Sequence, residues 1–162
     1  MNDVFVQRVD WTDTRAAALR DEMEAEMNAI YAGSFDTIKP ETRALLSSSF
    51  DVIPGTIIAT VAAFDGDRML GQAGLRWHGV GILEVKKVMV DVAARGRGIS
   101  RLMMVELELV ARELGVTTLI LQTGDRQPAA INLYESLGYV LTPPYAPFEL
   151  MTNALCYSKS IC

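Results

Sequence analysis

The segment Val88-Met89-Val90-Asp91-Val92-Ala93-Ala94-Arg95-Gly96-Arg97-Gly98-Ile99-Ser100 constrains this chain more than any other. An apolar, β-branched run over 82–90 leads into it. Behind it Ile99, Met103, Leu107, Val110 and Leu114 recur at helical spacing, with Arg101, Glu108 and Arg112 on the opposite side. The segment therefore joins a strand to a helix. Gly96 and Gly98 remove side chains where the backbone must turn and approach another group closely. The helix that follows offers unpaired amides and the positive end of its dipole, and Arg95 and Arg97 add charge. Such an arrangement suits a phosphate or diphosphate. It is neither common nucleotide loop: no lysine follows Gly98, and Arg101 stands where G-x-G-x-x-G needs its last glycine. The plainer reading is a tight strand-to-helix turn with surface arginines.

The rest of the chain supplies a frame for that turn. A short strand is expected over 4–9, then a helix capped by Asp13 or Thr14 and running to about Tyr31. In it Leu19, Met23, Met27 and Ile30 form an inward stripe, while Asp21, Glu22, Glu24 and Glu26 form either a solvated face or a wall that attracts an amine. A second, short helix opens at Lys39-Pro40 and ends near Ser48. Strands over 56–64, 69–77 and 82–90 make an antiparallel meander, the first two joined through Asp65-Gly66-Asp67. After the long helix, which Gly115 closes, come a strand over 117–122, a helix from Pro128 to about Gly138, and closing strands over 139–141 and 154–158. The strand–helix–strand passage over 82–122 implies a parallel crossover.

Composition removes several function classes. The length of 162 residues fits one domain, and a half-hydrophobic chain can bury a core. The net charge of −5 disfavours a general nucleic-acid binder and is compatible with a cationic, amine-bearing substrate. Cys156 and Cys162 match no zinc or redox spacing, and the lone His78, in Arg76-Trp77-His78-Gly79, reads as a turn residue. No metal site and no Ser-His-Asp catalysis are expected. The opening Met1-Asn2-Asp3-Val4 lacks a basic region followed by an apolar run, and no stretch approaches a membrane span, so a cytoplasmic protein without membrane contact is expected.

Two blocks together carry a family resemblance. Arg95-Gly96-Arg97-Gly98-Ile99-Ser100 resembles the Q/R-x-x-G-x-G/A signature of GNAT N-acetyltransferases, with Ser100 where Gly or Ala is usual. Gln127-Pro128-Ala129-Ala130-Ile131-Asn132-Leu133-Tyr134-Glu135-Ser136-Leu137-Gly138-Tyr139 is similar to the family's N-x-x-A-x-x-L-Y-E-K-x-G-F/Y segment, with Gln127 in the usual Asn place. The resemblance is strong over about 82–140 and weakens in the N-terminal helices. It implies an α/β fold of one domain over 1–162. Its central, mostly antiparallel sheet would be splayed into a V between two strands, flanked by helices, with acetyl-CoA in the cleft.

The same resemblance assigns roles. Acetyl-CoA would be the co-substrate, held by the 95–100 loop and contacted by Asn132 along its pantetheine or adenosine part. A backbone amide of Met89 or Val90 would stabilise the oxygen of the thioester. Tyr134 would hydrogen-bond or protonate the departing thiolate. A phenol near pKa ~10 and a thiol near ~8.5 make full transfer uphill by about 2 kcal/mol. Glu84 would deprotonate the amine, through water, or else pair with a neighbouring lysine on the sheet. In Pro143-Pro144-Tyr145-Ala146-Pro147-Phe148, Tyr145 and Phe148 would line the acceptor pocket or pin the loop. The expected reaction is acetyl transfer to a primary amine, on a small molecule or a peptide. An acyl-CoA-binding sensor and an enzyme for longer acyl donors are the alternatives. Many relatives are dimers, which makes a homodimer compatible with the resemblance.

Overall fold

The fold is set by one interruption in a sheet. In the computed structural model, which describes residues 3–162, the elements run β1 (Val4–Val9), α1 (Thr14–Ile30), α2 (Pro40–Phe50), β2 (Ile57–Asp65), β3 (Arg68–Gly79), β4 (Ile82–Val90), α3 (Ile99–Glu113), β5 (Thr118–Gly124), α4 (Pro128–Ser136), β6 (Val140–Thr142) and β7 (Ala154–Ser160). Met1 and Asn2, on which part of the reading of the first residues rests, lie outside the described residues. The seven strands form one sheet in the order β1-β2-β3-β4-β5-β7-β6. Every neighbouring pair is antiparallel except β4 and β5, which are parallel because α3 carries the chain back between them. This is the mixed, mostly antiparallel α/β architecture that the sequence pattern implied.

The parallel pair is short. Register holds only for Ile82↔Thr118, Leu83↔Leu119 and Glu84↔Ile120. Beyond these positions β4 continues to Val90 and β5 to Gly124 without pairing to each other, β4 keeping β3 and β5 keeping β7 as partner. The sheet therefore opens into a V after Glu84 and Ile120.

A bulge in β4 accompanies the opening. Gln72 of β3 faces Met89 and Gly74 faces Lys86, so Lys87 and Val88 together oppose Ala73 alone. Such an insertion bends the bulged strand and sharpens its twist. Lys87 takes a left-handed backbone with φ 56°, the one non-glycine among the described residues with positive φ. That conformation costs roughly 1–2 kcal/mol for a side-chain-bearing residue, so the surroundings must hold it. The fully buried Gln72 does so: its side-chain amide donates to the Lys87 carbonyl, and its oxygen accepts from Arg20 Nη1 of α1 at 3.0 Å.

Helices clamp both faces of the bent sheet. Ala16 and Leu19 of α1 pack on Ala62, Phe64, Met69 and Met89. On the other face Ile99, Met103, Met104, Leu107 and Val110 of α3 join the main core. Burying each such side chain stabilises the fold by about 1.5–3 kcal/mol, which fixes where α3 begins. Glu108, expected on the polar side of α3, is buried instead. It lies beside Leu107 at the border of the stripe, and its carboxylate accepts from Lys159 Nζ at 2.8 Å and Arg112 Nη2 at 3.4 Å. Leu114, at the end of the expected stripe, lies past the last turn of α3 and is half exposed. His78 continues β3 rather than turning, with its ring edge-on to Tyr145 at 4.9 Å.

Replacing Gln72 by methionine keeps the volume but strips the Lys87 carbonyl and Arg20 of their shared partner. We expect a loss of about 1–3 kcal/mol in unfolding free energy, read from urea melts. A wild-type midpoint would mean that the bulge holds itself.

Candidate active site

Where β4 and β5 part, α1 and α2 lie across the gap and enclose a cleft of about 700 Å³. That volume is within the ~300–1,000 Å³ of small-molecule sites. Its floor is 85–88 of β4 and 121–124 of β5; Met23 and Met27 of α1 and Leu46 and Phe50 of α2 line it from the helices. Both methionines expected in the core stripe of α1 thus line the cleft, Met23 while also packing against the core beneath α1.

Tyr134 reaches this cleft from α4. It is buried against Tyr139 and Tyr157, with ring centroids at 5.9 and 6.5 Å, and it lines the cavity. Pro128 at the first turn starts α4 and thereby sets the phase that turns Tyr134 inward. Burial alone raises its phenol well above the ordinary tyrosine range, and no neighbouring charge or hydrogen bond offsets it.

The glycine loop lies at the end of β4. Asp91 closes the turn at Val92–Ala94 by accepting from the Ala93 amide at 3.0 Å and pairs with Arg68 at 2.6 Å. These contacts hold its carboxyl below the usual carboxylate range, the Ala93 amide most of all. Gly96 and Gly98 both have left-handed φ, 78° and 74°, and a side chain at either would meet nothing within 4 Å. Gly98 caps α3 without a side chain, which leaves the first amides of Ile99, Ser100 and Arg101 open toward the space before the helix. Among the described residues Arg97 is engaged only by Asp65, at 3.9 Å. Open amides, absent side chains and a loosely held arginine fit a diphosphate.

Arg95 is differently employed. Its guanidinium grips both oxygens of Glu26 on α1 at 2.8 and 2.6 Å and donates through Nε to the Val90 carbonyl at 3.2 Å. The pair holds the Glu26 carboxyl below its ordinary range. Arg95 thus ties α1 to the end of β4. Met89 and Val90 are buried at this junction. Asn132 is exposed on α4 and is not part of the cleft wall.

Glu84, Tyr145 and Phe148 form a second cluster beside the cleft, reached through Phe50 and Lys86. Glu84 is 1% exposed; Arg76 Nη2 contacts its Oε1 at 2.5 Å, and the Tyr145 hydroxyl donates to Oε2 at 2.7 Å. Burial and the adjacent carboxylate both push the Tyr145 phenol upward, so it remains a donor. Phe148 packs edge-on against Tyr145 and beneath Lys86. None of the three lines the cleft.

Sequence reasoning did not single out Gln72, Lys86 or Lys87. Gln72 is the one polar residue in Met69-Leu70-Gly71-Gln72-Ala73-Gly74-Leu75, and the adjacent lysines break the alternation of an otherwise apolar strand; both signals were present. Lys86 is 8% exposed and lines the cleft. Its ammonium lies 3.4 Å from the Ser49 carbonyl and 5.7 Å from the Phe148 ring centre. Burial lowers its pKa to about 8, against the opposing pull of Glu84. Among the described residues no group of three or more His, Cys, Asp or Glu is placed to hold a metal, and no helix is long and apolar enough to cross a membrane.

The lysine has a stability consequence. Because its folded pKa lies below the ordinary 10.5, the unfolded chain binds the proton more tightly. The penalty is complete below about pH 8 and fades as pH rises toward 10.5. Lys86→Met should therefore raise the melting temperature at pH 7 by more than at pH 10. An equal shift at both would show that the ammonium is not the cause.

With this geometry described, comparison with known proteins gives a consistent result. The chain matches the acetyltransferase (GNAT) family over residues 17–139. An IAA acetyltransferase of Azospirillum brasilense is 37% identical over 65 residues, and an uncharacterized N-acetyltransferase of Schizosaccharomyces pombe is 33% identical over 67. The first match covers 40% of this chain and 42% of the relative, the second 41% of each, so the chain spans about two fifths of the length of the curated relatives it matches. Among solved structures, one from Klebsiella pneumoniae described as an acyl-CoA N-acyltransferase superposes with a TM-score of 0.77 at 23% identity over 98% of both chains. The ribosomal-protein-S18-alanine N-acetyltransferase of Escherichia coli superposes at 0.66 with 20% identity, over 98% of this chain and 94% of that one. At these identities the structural likeness speaks for the fold. Taken with the match over most of its length, the parted strands and the open glycine loop, this chain belongs to the GNAT acetyltransferase family.

Proposed function

We propose that this chain is one GNAT domain that transfers an acetyl group from acetyl-CoA to a primary amine by direct attack of the amine on the thioester. The observation that carries the reading is that β4 and β5 part after three residue pairs, with the side-chain-free start of α3 following the end of β4 and Tyr134 on the wall of the cleft.

Acetyl-CoA would supply a carbonyl activated by a good leaving group. The residues of the chain do the rest. Amides at the start of α3, with the backbone of 95–100 and Arg97, would bind the diphosphate, and Asn132 would contact the cofactor from outside the cleft wall. An amide of Met89 or Val90, at the end of the bulged strand, would donate to the carbonyl oxygen as its charge grows. In the transfer a nitrogen–carbon bond forms and the carbon–sulfur bond breaks. The acceptor ammonium gives up two protons overall, one ending on the thiol and one in solvent. Tyr134 serves the thiolate. Its raised pKa makes complete proton donation costlier than for a free phenol, each unit adding about 1.4 kcal/mol, so its main contribution is a hydrogen bond to sulfur. Glu84 takes the remaining proton by way of the Tyr145 hydroxyl and water, with Arg76 fixing the carboxylate. Tyr145 and Phe148 form the backing of the acceptor end.

Tyr134→Phe tests this assignment. It should lower kcat by about 10²-fold or more while leaving the affinity for acetyl-CoA near that of the parent. Unchanged turnover in single-turnover CoA release, where chemistry is isolated, would remove Tyr134 from the mechanism.

A further inference from the structure

Lys86 has no role in the reaction as derived, yet its position is costly. A buried ammonium without a hydrogen-bonded carboxylate partner is unfavourable, and an anion brought in from outside the fold would offset that cost. An ammonium has three donors; here one is used, in a long contact to the Ser49 carbonyl. The nearest carboxylate on the same strand face, Glu84, is already taken by Arg76 and Tyr145.

The bulge explains how a second cation joins it. In a regular strand consecutive side chains point to opposite faces. The left-handed turn at Lys87 breaks that alternation, and Lys86 and Lys87 both line the cleft. Lys87 is also partly buried and forms no ion pair among the described residues; burial lowers its pKa as well. The acids that line the cleft, Asp21, Glu24, Asp36 and Asp51, are all exposed on its rim. The cleft thus has a basic floor and a mainly acidic rim, on which Arg43 also stands.

We propose that the acceptor is an amine that also carries an anionic group, and that Lys86 anchors that group on the cleft floor. This inference rests on the transferase reading. The rim acids hold the ammonium end in the same substrate, and Lys87 supplies a second, less buried contact. A carboxylate, as in an amino acid, and a phosphate monoester on a short amine share this chemistry.

The test is CoA release with matched pairs: amino acids against their carboxamides, and phosphoethanolamine against ethanolamine. Wild type should favour the anionic member of at least one pair by about tenfold or more in kcat/KM, expressed mainly in KM. The pair that shows the preference distinguishes carboxylate from phosphate. The preference should vanish in Lys86→Met and persist in Lys86→Arg. Equal or better use of the uncharged members, or a preference that survives in Lys86→Met, overturns the proposal while leaving the transferase intact. Binding of acetyl-CoA without release by any anionic amine also overturns it. A protein that binds no acetyl-CoA would sink the transferase reading first, and a calorimetric titration distinguishes that case.

Discussion

Two parallel strands that stop pairing after three residue pairs govern this molecule. A sheet normally gains by continuing its ladder, because unpaired backbone groups in a buried place are costly. Here the ladder is given up at Glu84 and Ile120, and the open arms become the floor of a cleft. Everything that distinguishes the fold from a plain seven-stranded sheet follows from that opening. The bulge turns β4 away, α1 and α2 cover the gap, and α4 delivers Tyr134 from beyond it.

The opening is held by polar contacts rather than by apolar packing alone. Gln72 bridges the bulge to Arg20, and Arg20 stacks on Trp11 with its guanidinium carbon 3.7 Å from the ring centre. Arg95 joins the tip of β4 to Glu26. These links fasten α1 at two points along the cleft. The part-buried Gln72 and Arg20 contacts are worth more than an exposed pair, since a broken partner is left without water, whereas the exposed Arg95–Glu26 pair contributes less. The acidic α1 face that reads as a solvated surface in sequence therefore has a divided use: Glu26 is structural, while Asp21 and Glu24 stand on the rim.

Much of the fold was legible because its period signals are strong. The alternating strands around Asp65-Gly66-Asp67, the stripe of α3 and the proline that opens α4 each specify one local structure. The glycine loop was legible for a different reason: glycines at 96 and 98 are needed only where φ is positive, and both have it. The site was less legible. That Arg95 binds Glu26 depends on how α1 crosses the sheet, a contact 69 residues apart in sequence. Glu84 was visible as a carboxylate on the right strand, but its pairing with Arg76 and Tyr145 arises from strand register and from the path of the 143–148 loop. A lysine beside Glu84 entered the sequence reading only as an alternative partner for that carboxylate on the sheet. The bulge, which no local pattern announced, falls at these lysines, and both line the cleft.

Acetyl transfer as proposed requires the amides at the start of α3 to grip the cofactor's diphosphate. Titration calorimetry of the purified protein with CoA and acetyl-CoA measures that grip most directly, with Gly98→Val as the control for the left-handed cap. Saturable binding at one site per chain is expected, weakened by about tenfold or more in Gly98→Val. The absence of saturable heat from either ligand, or binding that ignores the substitution, would contradict that grip.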